Sequence, residues 1–391
     1  MLLAGVHLLL AARFRVASSL EHPSIGFSLV GFGIVLLVLL FAICFFASVS
    51  REKMFHDAGI ATKIEWLALL MMLGGGTILR YRLIKEYPVN AVYGDMLPLI
   101  VAACESLLQG NFPYIHYDVP WELPLTFLPG LWLPYLPFVS TGVDPRWLGI
   151  MAVWGVGVVI YFAASECPLR YRMTAMGLVA LFVYSPAWLD FTIQGHTQIL
   201  WFYIALFGLF VTRSNTIGSC VMMGLLLASR QTMLILVPPL FLWLLFHLSW
   251  RATFRHLAWI ALPLFLLMIP FLLKDPEAVL LEPIRHYNEL AAYERTRGDA
   301  GYLAQTPGLT YAFVRADAED KLRIVAWFAL AVIWGGALVY ARKTTTLLCG
   351  CGAGLFLMNA LTPIPWYYIF APPLILLSMA LTASIREIAH E

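Results

Sequence analysis

The chain contains few charged residues. Asp, Glu, Lys and Arg make up 12% of its 391 positions, about half of the fraction that soluble domains usually carry. Hydrophobic residues account for 61% of the chain, and its mean hydropathy is +0.80. This scarcity of charge excludes a soluble globular domain as an interpretation of most of the chain.

Cysteine pairs and basic clusters are also lacking. The six cysteines are scattered, mostly within or beside apolar blocks, so we predict no disulfide framework and no zinc-binding spacing. The formal net charge is +2, and no basic stripe suited to nucleic acid is present. We therefore expect no metal, no cofactor and no nucleic-acid partner.

The chain has instead a series of apolar blocks of roughly 16–22 residues, the length that a helix needs to cross about 30 Å of hydrocarbon. In lipid, the backbone N–H and C=O groups must be satisfied within each segment, so these blocks are predicted to be helices. The predicted fold class is an all-α polytopic membrane protein with a single domain over residues 1–391. About eleven spans are expected, near residues 27–48, 62–80, 147–165, 173–189, 197–212, 215–229, 232–248, 257–273, 322–341, 345–361 and 367–384.

Basic residues orient these predicted spans. If the loop that carries Arg51, Lys53 and Lys63 is cytoplasmic, strict alternation places the other short basic loops on the same side, as the positive-inside rule requires. Two long loops, at about 81–146 and 274–321, then face outward. Long loops in a compact helical protein tend to be functional, and we expect short interfacial helices in these two.

The predicted spans lack ionisable groups near their centres, where a charge costs about 2.5–3.5 kcal/mol on insertion scales and marks an ion or proton pathway. Polar residues gather at the outer ends of the spans instead, so the expected site is a cavity on the outer face. These residues are Arg80, Arg82, Asp95, Glu105, Asn111, Asp118, Glu122, Asp190, Gln194, His196, Gln198, Arg230, Gln231, Arg285, His286, Asn288, Trp366, Tyr367 and Tyr368.

Short motifs follow one another on this predicted face. They are Arg80 and Arg82 before Asp95, then Gly110-Asn111-Phe112-Pro113-Tyr114, Pro124-Leu125-Thr126-Phe127-Leu128-Pro129, Gln194-Gly195-His196-Thr197-Gln198, Ala228-Ser229-Arg230-Gln231-Thr232 and Pro363-Ile364-Pro365-Trp366-Tyr367-Tyr368. In this order and placement the chain resembles the GT-C-fold glycosyltransferases, membrane enzymes that use polyprenyl-phosphate-linked sugars, and especially their mannosyl- and arabinofuranosyl-type members. The resemblance covers most of residues 62–384. The extra span at 27–48 and the solitary early acidic residue, Asp95, depart from the family pattern.

The resemblance implies transfer of one sugar from a polyprenyl phosphate to a hydroxyl of a glycan, lipid or protein acceptor, with inversion and no covalent enzyme intermediate. It implies that Asp95 is the catalytic base, although an Asp at this position is also typical of a helix cap. Donor-phosphate or lipid contact is implied for Arg82, Arg230, Arg285 and His286, since arginine binds phosphate oxygens in a bidentate way. The expected substrate contacts are Tyr114, Glu122, Gln194, His196 and Tyr367.

Plainer interpretations stay open for several of these residues. Arg230 could be an anchor that reaches towards the membrane surface, and Arg285 and His286 could lie on a solvated loop. A lipid flippase or transporter is the alternative from another class, although no internal repeat or midplane charge is detected. An O-antigen-ligase-like transferase would have a large late loop, which residues 274–321 fit in part. The expected location is a bacterial inner membrane, with the site on the periplasmic side and membrane lipids around it.

Overall fold

The computed structural model describes residues 58–119, 122–165, 167–296, 319–340, 343–362 and 367–390. The predicted span at 27–48 lies outside these residues. Within them the chain is helical apart from one antiparallel hairpin of two short strands, so the all-α class is confirmed.

Helices of very different length follow one another along the chain. In order, the elements are α1 (Ala58–Glu86), α2 (Met96–Leu108), β1 (His116–Asp118), β2 (Glu122–Pro124), α3 (Pro129–Trp132), a 3-10 helix (Leu133–Tyr135), α4 (Leu136–Thr141), α5 (Arg146–Ala164), α6 (Leu169–Tyr184), α7 (Pro186–Gln194), α8 (Gln198–Thr212), α9 (Thr216–Ser229), a second 3-10 helix (Gln231–Leu236), α10 (Val237–His247), α11 (Trp250–Leu272), α12 (Pro276–Leu280), α13 (Glu282–Thr296), α14 (Glu319–Tyr340), α15 (Thr344–Ala360), a third 3-10 helix (Tyr367–Phe370) and α16 (Ala371–His390). The two predicted long loops therefore contain helices of their own, and the first also contains the hairpin.

Three helices of the described parts are long and apolar enough to cross a membrane by themselves. They are the Lys63–Glu86 part of α1, the whole of α5 and the whole of α11. Helices α6 and α7 form a pair bent by 45°, which would make a fourth span, and six shorter apolar stretches of the described residues have 10–17 residues. These lengths indicate membrane association. The topology of eleven spans stays a prediction, because only the three long helices and the bent pair of the described residues meet the length and composition of a span.

The core lies where α5, α6, α8, α9 and α16 pack together. Aromatic rings fill its centre: Trp188 and Trp201 pack edge to face with centroids 5.4 Å apart, and Phe182 lies 5.5 Å from Trp201. Small residues allow close approach between helices, since a Cβ on Gly157 would lie 2.9 Å from Leu73 of α1. The bundle is therefore fixed by ring packing at its centre and by short helix separations around it.

Helix α1 continues to Glu86, beyond the end predicted near residue 80. The reason is Arg146, at the start of α5. Its guanidinium donates hydrogen bonds to the carbonyl of Ile84 at 3.1 Å and to that of Tyr87 at 2.5 Å, and it pairs with Asp144 at 2.6 Å. A cation that bonds the last carbonyls of a helix satisfies acceptors that would otherwise have no partner.

A second ion pair lies at the other end of α1. The buried carboxylate of Glu65 accepts two hydrogen bonds of 2.9 Å from the guanidinium of Arg172 on α6. Tyr161, near the end of α5, donates a third at 2.6 Å. Side chains thus bridge α1 and α5 at both ends, and Arg172 joins α6 to them at one end.

Replacing Arg146 with Met should destabilise the fold. The substitution leaves the charge of Asp144 and two helix carbonyls without their partner, so we expect the free energy of unfolding to fall by about 3 kcal/mol, the lower end of the range for breaking a buried ion pair. SDS-induced unfolding followed by circular dichroism measures the change. Arg255→Met on the exposed face of α11 is the matched control, and an equal effect of the two substitutions would contradict this role of Arg146.

Candidate functional site

The candidate site is built around a break between α7 and α8. Helix α7 ends at Gly195, which adopts the left-handed conformation with φ of 55°. A Cβ at this position would lie 2.6 Å from Cγ of Arg146, so the position requires glycine for space as well as for conformation. Tyr135 donates a hydrogen bond of 2.9 Å to the carbonyl of Gly195. The helix is therefore interrupted at this point, and α8 begins only at Gln198.

His196 lies in the break and is surrounded by aromatic rings. Only 1% of its surface is exposed. Its ring centroid is 4.9 Å from that of Tyr368, 5.0 Å from that of Phe191 and 5.6 Å from that of Phe127. These three rings come from distant parts of the chain, so the imidazole marks a point where the first long loop, α7 and the start of the last helical segment meet.

Arg230 covers the open side of this group of rings. It follows α9 in an extended conformation, and its guanidinium carbon lies 5.7 Å from the ring centroid of Tyr368 and 5.9 Å from that of Phe127. It also donates a hydrogen bond to the hydroxyl of Tyr368. A half-buried cation in this setting can bind an anion at the mouth of the break. We call Asp95, Phe127, His196, Arg230 and Tyr368 the central cluster.

Asp95 joins the cluster through its two neighbours in the chain. A Cβ on Gly94 would lie 3.0 Å from Cγ of Gln194, so the main chain before Asp95 rests against the last residue of α7. The Met96 sulfur accepts a hydrogen bond of 3.9 Å from the hydroxyl of Thr126, next to Phe127. The predicted contact residue Gln194 is thereby placed beside Asp95, and the carboxylate is close enough to interact electrostatically with Tyr368.

Asp95 also occupies the cap position of α2, but its side chain makes no capping hydrogen bond. One reason is that Pro98, in the first turn, has no N–H to donate. Burial raises the pKa of the Asp95 carboxyl, and the N–H groups of Asp95 and Met96 and the nearby His286 oppose that rise. A raised pKa is what a general base near neutral pH needs.

The two histidines of the site are held in the neutral form. Burial, together with the smaller effect of the positive charge of Arg230, lowers the pKa of His196 to about 3. The main-chain carbonyl of Gln194 offsets little of this, since it makes no well-formed hydrogen bond with the ring. Burial also lowers the pKa of His286, against the opposing effect of Glu289 and Asp95. Around neutral pH, Arg230 is thus the cation next to the buried rings.

The segment that follows β2, residues 125–132, is packed inside the bundle. Leu128, Leu131 and Trp132 are buried, and Gly130 packs so tightly on α9 that an added Cβ would lie 2.8 Å from Oγ of Ser229. Tyr114, a predicted substrate contact, lies beneath this segment. Its hydroxyl donates to the carbonyl of Phe127 at 3.0 Å and accepts from the Trp132 indole at 3.1 Å. Tyr114 therefore fixes the main chain at Phe127 through this hydrogen bond.

Two other predicted residues lie in an exposed ion network on the hairpin and α13. His116 faces Glu122 at 3.1 Å through Nδ1 and Glu282 at 3.3 Å through Nε2. Arg285 pairs with Glu277 at 2.6 Å and with Glu282 at 3.6 Å. Glu122 and Arg285 are thus linked through His116 and Glu282. Their contact with substrate stays a prediction.

The remaining candidates lie around these groups. Arg82 is exposed on α1, whereas Arg80 is buried and donates to the carbonyl of Gly76 at 3.3 Å. Tyr367 begins the third 3-10 helix, and its side chain lies outside the described residues. Among the residues that the structure describes, no three His, Cys, Asp or Glu side chains come together as a metal site would require.

Sequence patterns alone do not reveal the parts played by Phe127 and Arg146. Both lie in the first long loop, where many aromatic and charged residues are equally conspicuous. The one signal in the sequence is Asp144-Pro145-Arg146 directly before an apolar block, which is compatible with an arginine turned back on a neighbouring helix.

No family model, curated protein or solved structure matches this chain.

Replacing Gly130 with Ala should weaken the packing between α3 and α9. The new methyl group would meet main-chain atoms of Ala228 at 3.0 Å, and we expect a loss of about 1–3 kcal/mol, typical of an overpacked core. Gly74→Ala in α1 is the control, because no atom lies within 4 Å of its Cβ position; alanine there should add stability. Thermal unfolding in detergent distinguishes the two. Similar shifts for both variants would contradict the tight contact at Gly130.

The low pKa of His196 predicts a loss of stability in acid. Between its ordinary value of 6.5 and its folded value of about 3, the unfolded chain binds a proton that the folded protein does not, so stability falls as the pH falls. His196→Phe should remove about 2 kcal/mol of this loss between pH 7 and pH 5. The free energy of unfolding at both pH values, for wild type and variant, measures it; parallel pH profiles would contradict the burial of a neutral imidazole.

Proposed function

We propose that the chain is a membrane glycosyltransferase, which transfers one sugar from a polyprenyl phosphate to an acceptor hydroxyl. The observation that carries the proposal is the meeting of a half-buried carboxylate, Asp95, and a half-buried cation, Arg230, around one break lined with aromatic and polar groups. A group transfer from a phosphate to a hydroxyl needs these two chemical functions on either side of the reacting carbon. The order of motifs that resembles the GT-C-fold enzymes supports the same reading.

Each residue has a defined task in this reaction. Arg230 binds the donor phosphate, and its planar guanidinium offers two N–H groups to two phosphate oxygens. Asp95 accepts the proton of the acceptor hydroxyl as its oxygen forms a bond to the anomeric carbon. The bond between that carbon and the phosphate oxygen breaks, and its electron pair stays on the phosphate beside Arg230. Direct displacement of this kind inverts the anomeric carbon.

The membrane setting follows from the same proposal. The donor's polyprenyl tail lies in lipid, and the three long apolar helices and the bent pair support a chain embedded in a bilayer. We assign the remaining apolar blocks to further spans, about eleven in all, in a bacterial inner membrane. The positive-inside rule puts the central cluster on the periplasmic side. The acceptor there is a glycan, lipid or protein that carries a free hydroxyl.

A lipid flippase is the second candidate, and one observation favours it. Helices α6, α7 and α8 are interrupted at residues 185 and 195, and broken helices with polar breaks are typical of substrate sites in transporters. The absence of an internal repeat in the sequence argues against it, because transporters are commonly built from such repeats.

Sugar transfer by the purified protein in liposomes tests the proposal. The donors are radiolabelled polyprenyl phosphates that carry different sugars, and crude membranes supply acceptors. Asp95→Asn should lower kcat by at least about 100-fold with little change in the donor KM, because it removes the proton acceptor. Arg230→Gln should raise the donor KM. Asp118→Asn, an exposed change on β1, is the matched control and should keep full activity.

Two results would contradict the proposal. Full transfer by a folded Asp95→Asn variant would keep the enzyme class but remove Asp95 from the reaction. Absence of transfer from every donor, together with movement of labelled lipid across the bilayer, would favour the flippase.

A further inference from the structure

The break between α7 and α8 contains a concentration of buried polar atoms without partners. Thr192, His196, Thr197 and Gln198 are each at most 3% exposed. Within the described part of the chain, no hydrogen-bond partner is found for either imidazole nitrogen, for the two threonine hydroxyls or for the side-chain oxygen of Gln198. Folded proteins pair nearly all such atoms, and each exception calls for an explanation, such as a bound molecule.

The geometry of the break explains why these atoms have no internal partners. The left-handed Gly195 interrupts the helix. The side-chain Nε2 of Gln198 already donates a hydrogen bond of 3.2 Å to the carbonyl of Phe191. The rings around His196 are apolar at their faces, so they offer no acceptor or donor to the imidazole. The polar atoms are thus buried at and beside the break without a hydrogen-bond partner among the described residues.

The unmatched atoms form a set of uncharged donors and acceptors. Each threonine hydroxyl can donate and accept, the neutral imidazole offers one N–H and one acceptor nitrogen, and the Gln198 oxygen accepts. Such a mixture fits several hydroxyl groups on one small ring. With Arg230 engaged by the donor phosphate and Asp95 by the acceptor hydroxyl, a further carboxylate or ammonium would lose its hydration among these groups without gaining an opposite charge. Phe127 and Tyr368 add apolar faces for the C–H side of a sugar ring.

We infer that residues 192–198 form the sugar-recognition part of the donor site, which binds the hydroxyl groups of an uncharged sugar while Arg230 binds the attached phosphate. This inference rests on the proposed function. It adds that residues 192–198 bind the sugar and that the sugar is uncharged. In the unliganded protein Arg230 lies across Phe127 and Tyr368. Binding of a phosphate draws the guanidinium away from the rings and opens the break to the sugar.

Binding measurements in nanodiscs separate recognition of the sugar from recognition of the phosphate. Each variant is titrated with bare polyprenyl phosphate, with polyprenyl phosphates of several neutral hexoses and pentoses, and with a polyprenyl-phosphate uronic acid. The informative quantity is the sugar increment, defined as the Kd of bare polyprenyl phosphate divided by the Kd of the tightest neutral donor. A misfolded variant loses both affinities, so the increment reports only on folded protein.

We expect His196→Phe and the isosteric Thr197→Val each to lower the sugar increment by about fivefold, which corresponds to the loss of one hydrogen bond. Arg230→Gln should weaken the bare lipid and the neutral donor alike and leave the increment unchanged. Ser185→Ala is the matched control, because it removes another buried hydroxyl without a partner at the far end of α7. The uronic acid donor should bind at least about tenfold more weakly than the neutral one, because its carboxylate would be desolvated.

The outcomes distinguish this inference from the proposed function. If neutral donors bind and both His196→Phe and Thr197→Val keep the wild-type increment, the break holds only water and the inference is overturned, while the enzyme proposal stands. Equal affinity for the uronic acid donor would overturn the assignment of an uncharged sugar. If no donor binds more tightly than an ordinary phospholipid, the proposed function itself fails.

Discussion

A single buried cation organises the end of the bundle that holds the central cluster. The guanidinium of Arg146 is neutralised by Asp144 and donates to the carbonyls of Ile84 and Tyr87, while its methylene groups lie against Gly195. A guanidinium is stable away from water only when its N–H groups find acceptors in a suitable geometry. Because those acceptors belong to the end of α1 and the turn before α5, the satisfaction of one side chain requires these two segments to meet, and Gly195 packs against the same side chain.

The break between α7 and α8 depends on this meeting. Arg146 fills the space beside Gly195, and Tyr135 binds its carbonyl, so the chain cannot continue as one helix. The residues that follow, including His196, keep polar atoms that the fold does not pair. A bundle tolerates such a segment only where firm packing on every side holds it. That packing comes from Phe127, supported by Tyr114, and from Tyr368. The result is a group of buried polar atoms in an otherwise apolar interior.

Several parts of this arrangement can be predicted from the sequence. Asp95, His196 and Arg230 stand out because polar residues at the ends of apolar blocks are conspicuous against so little charge. The same reasoning selects Arg285 and Glu122, which the structure places in the exposed network around His116. The local sequence does not distinguish the residues of the central cluster from those of the exposed network. Which of the two a residue joins depends on contacts with residues far along the chain. The sequence places the end of α1 too early for a similar reason: its cap is Arg146, about sixty residues later.

Helical structure and membrane association can be read from the sequence alone, because both properties follow from the length of apolar blocks and from the need of each backbone group for a nearby partner. The sequence also determined which side chains were available for chemistry. Which of them share a site depends on tertiary contacts. The burial and neutral state of His196 arise from rings and charges that reach the break from α7, the first long loop, the end of α9 and the start of the last helical segment. Such contacts leave no local pattern in the chain.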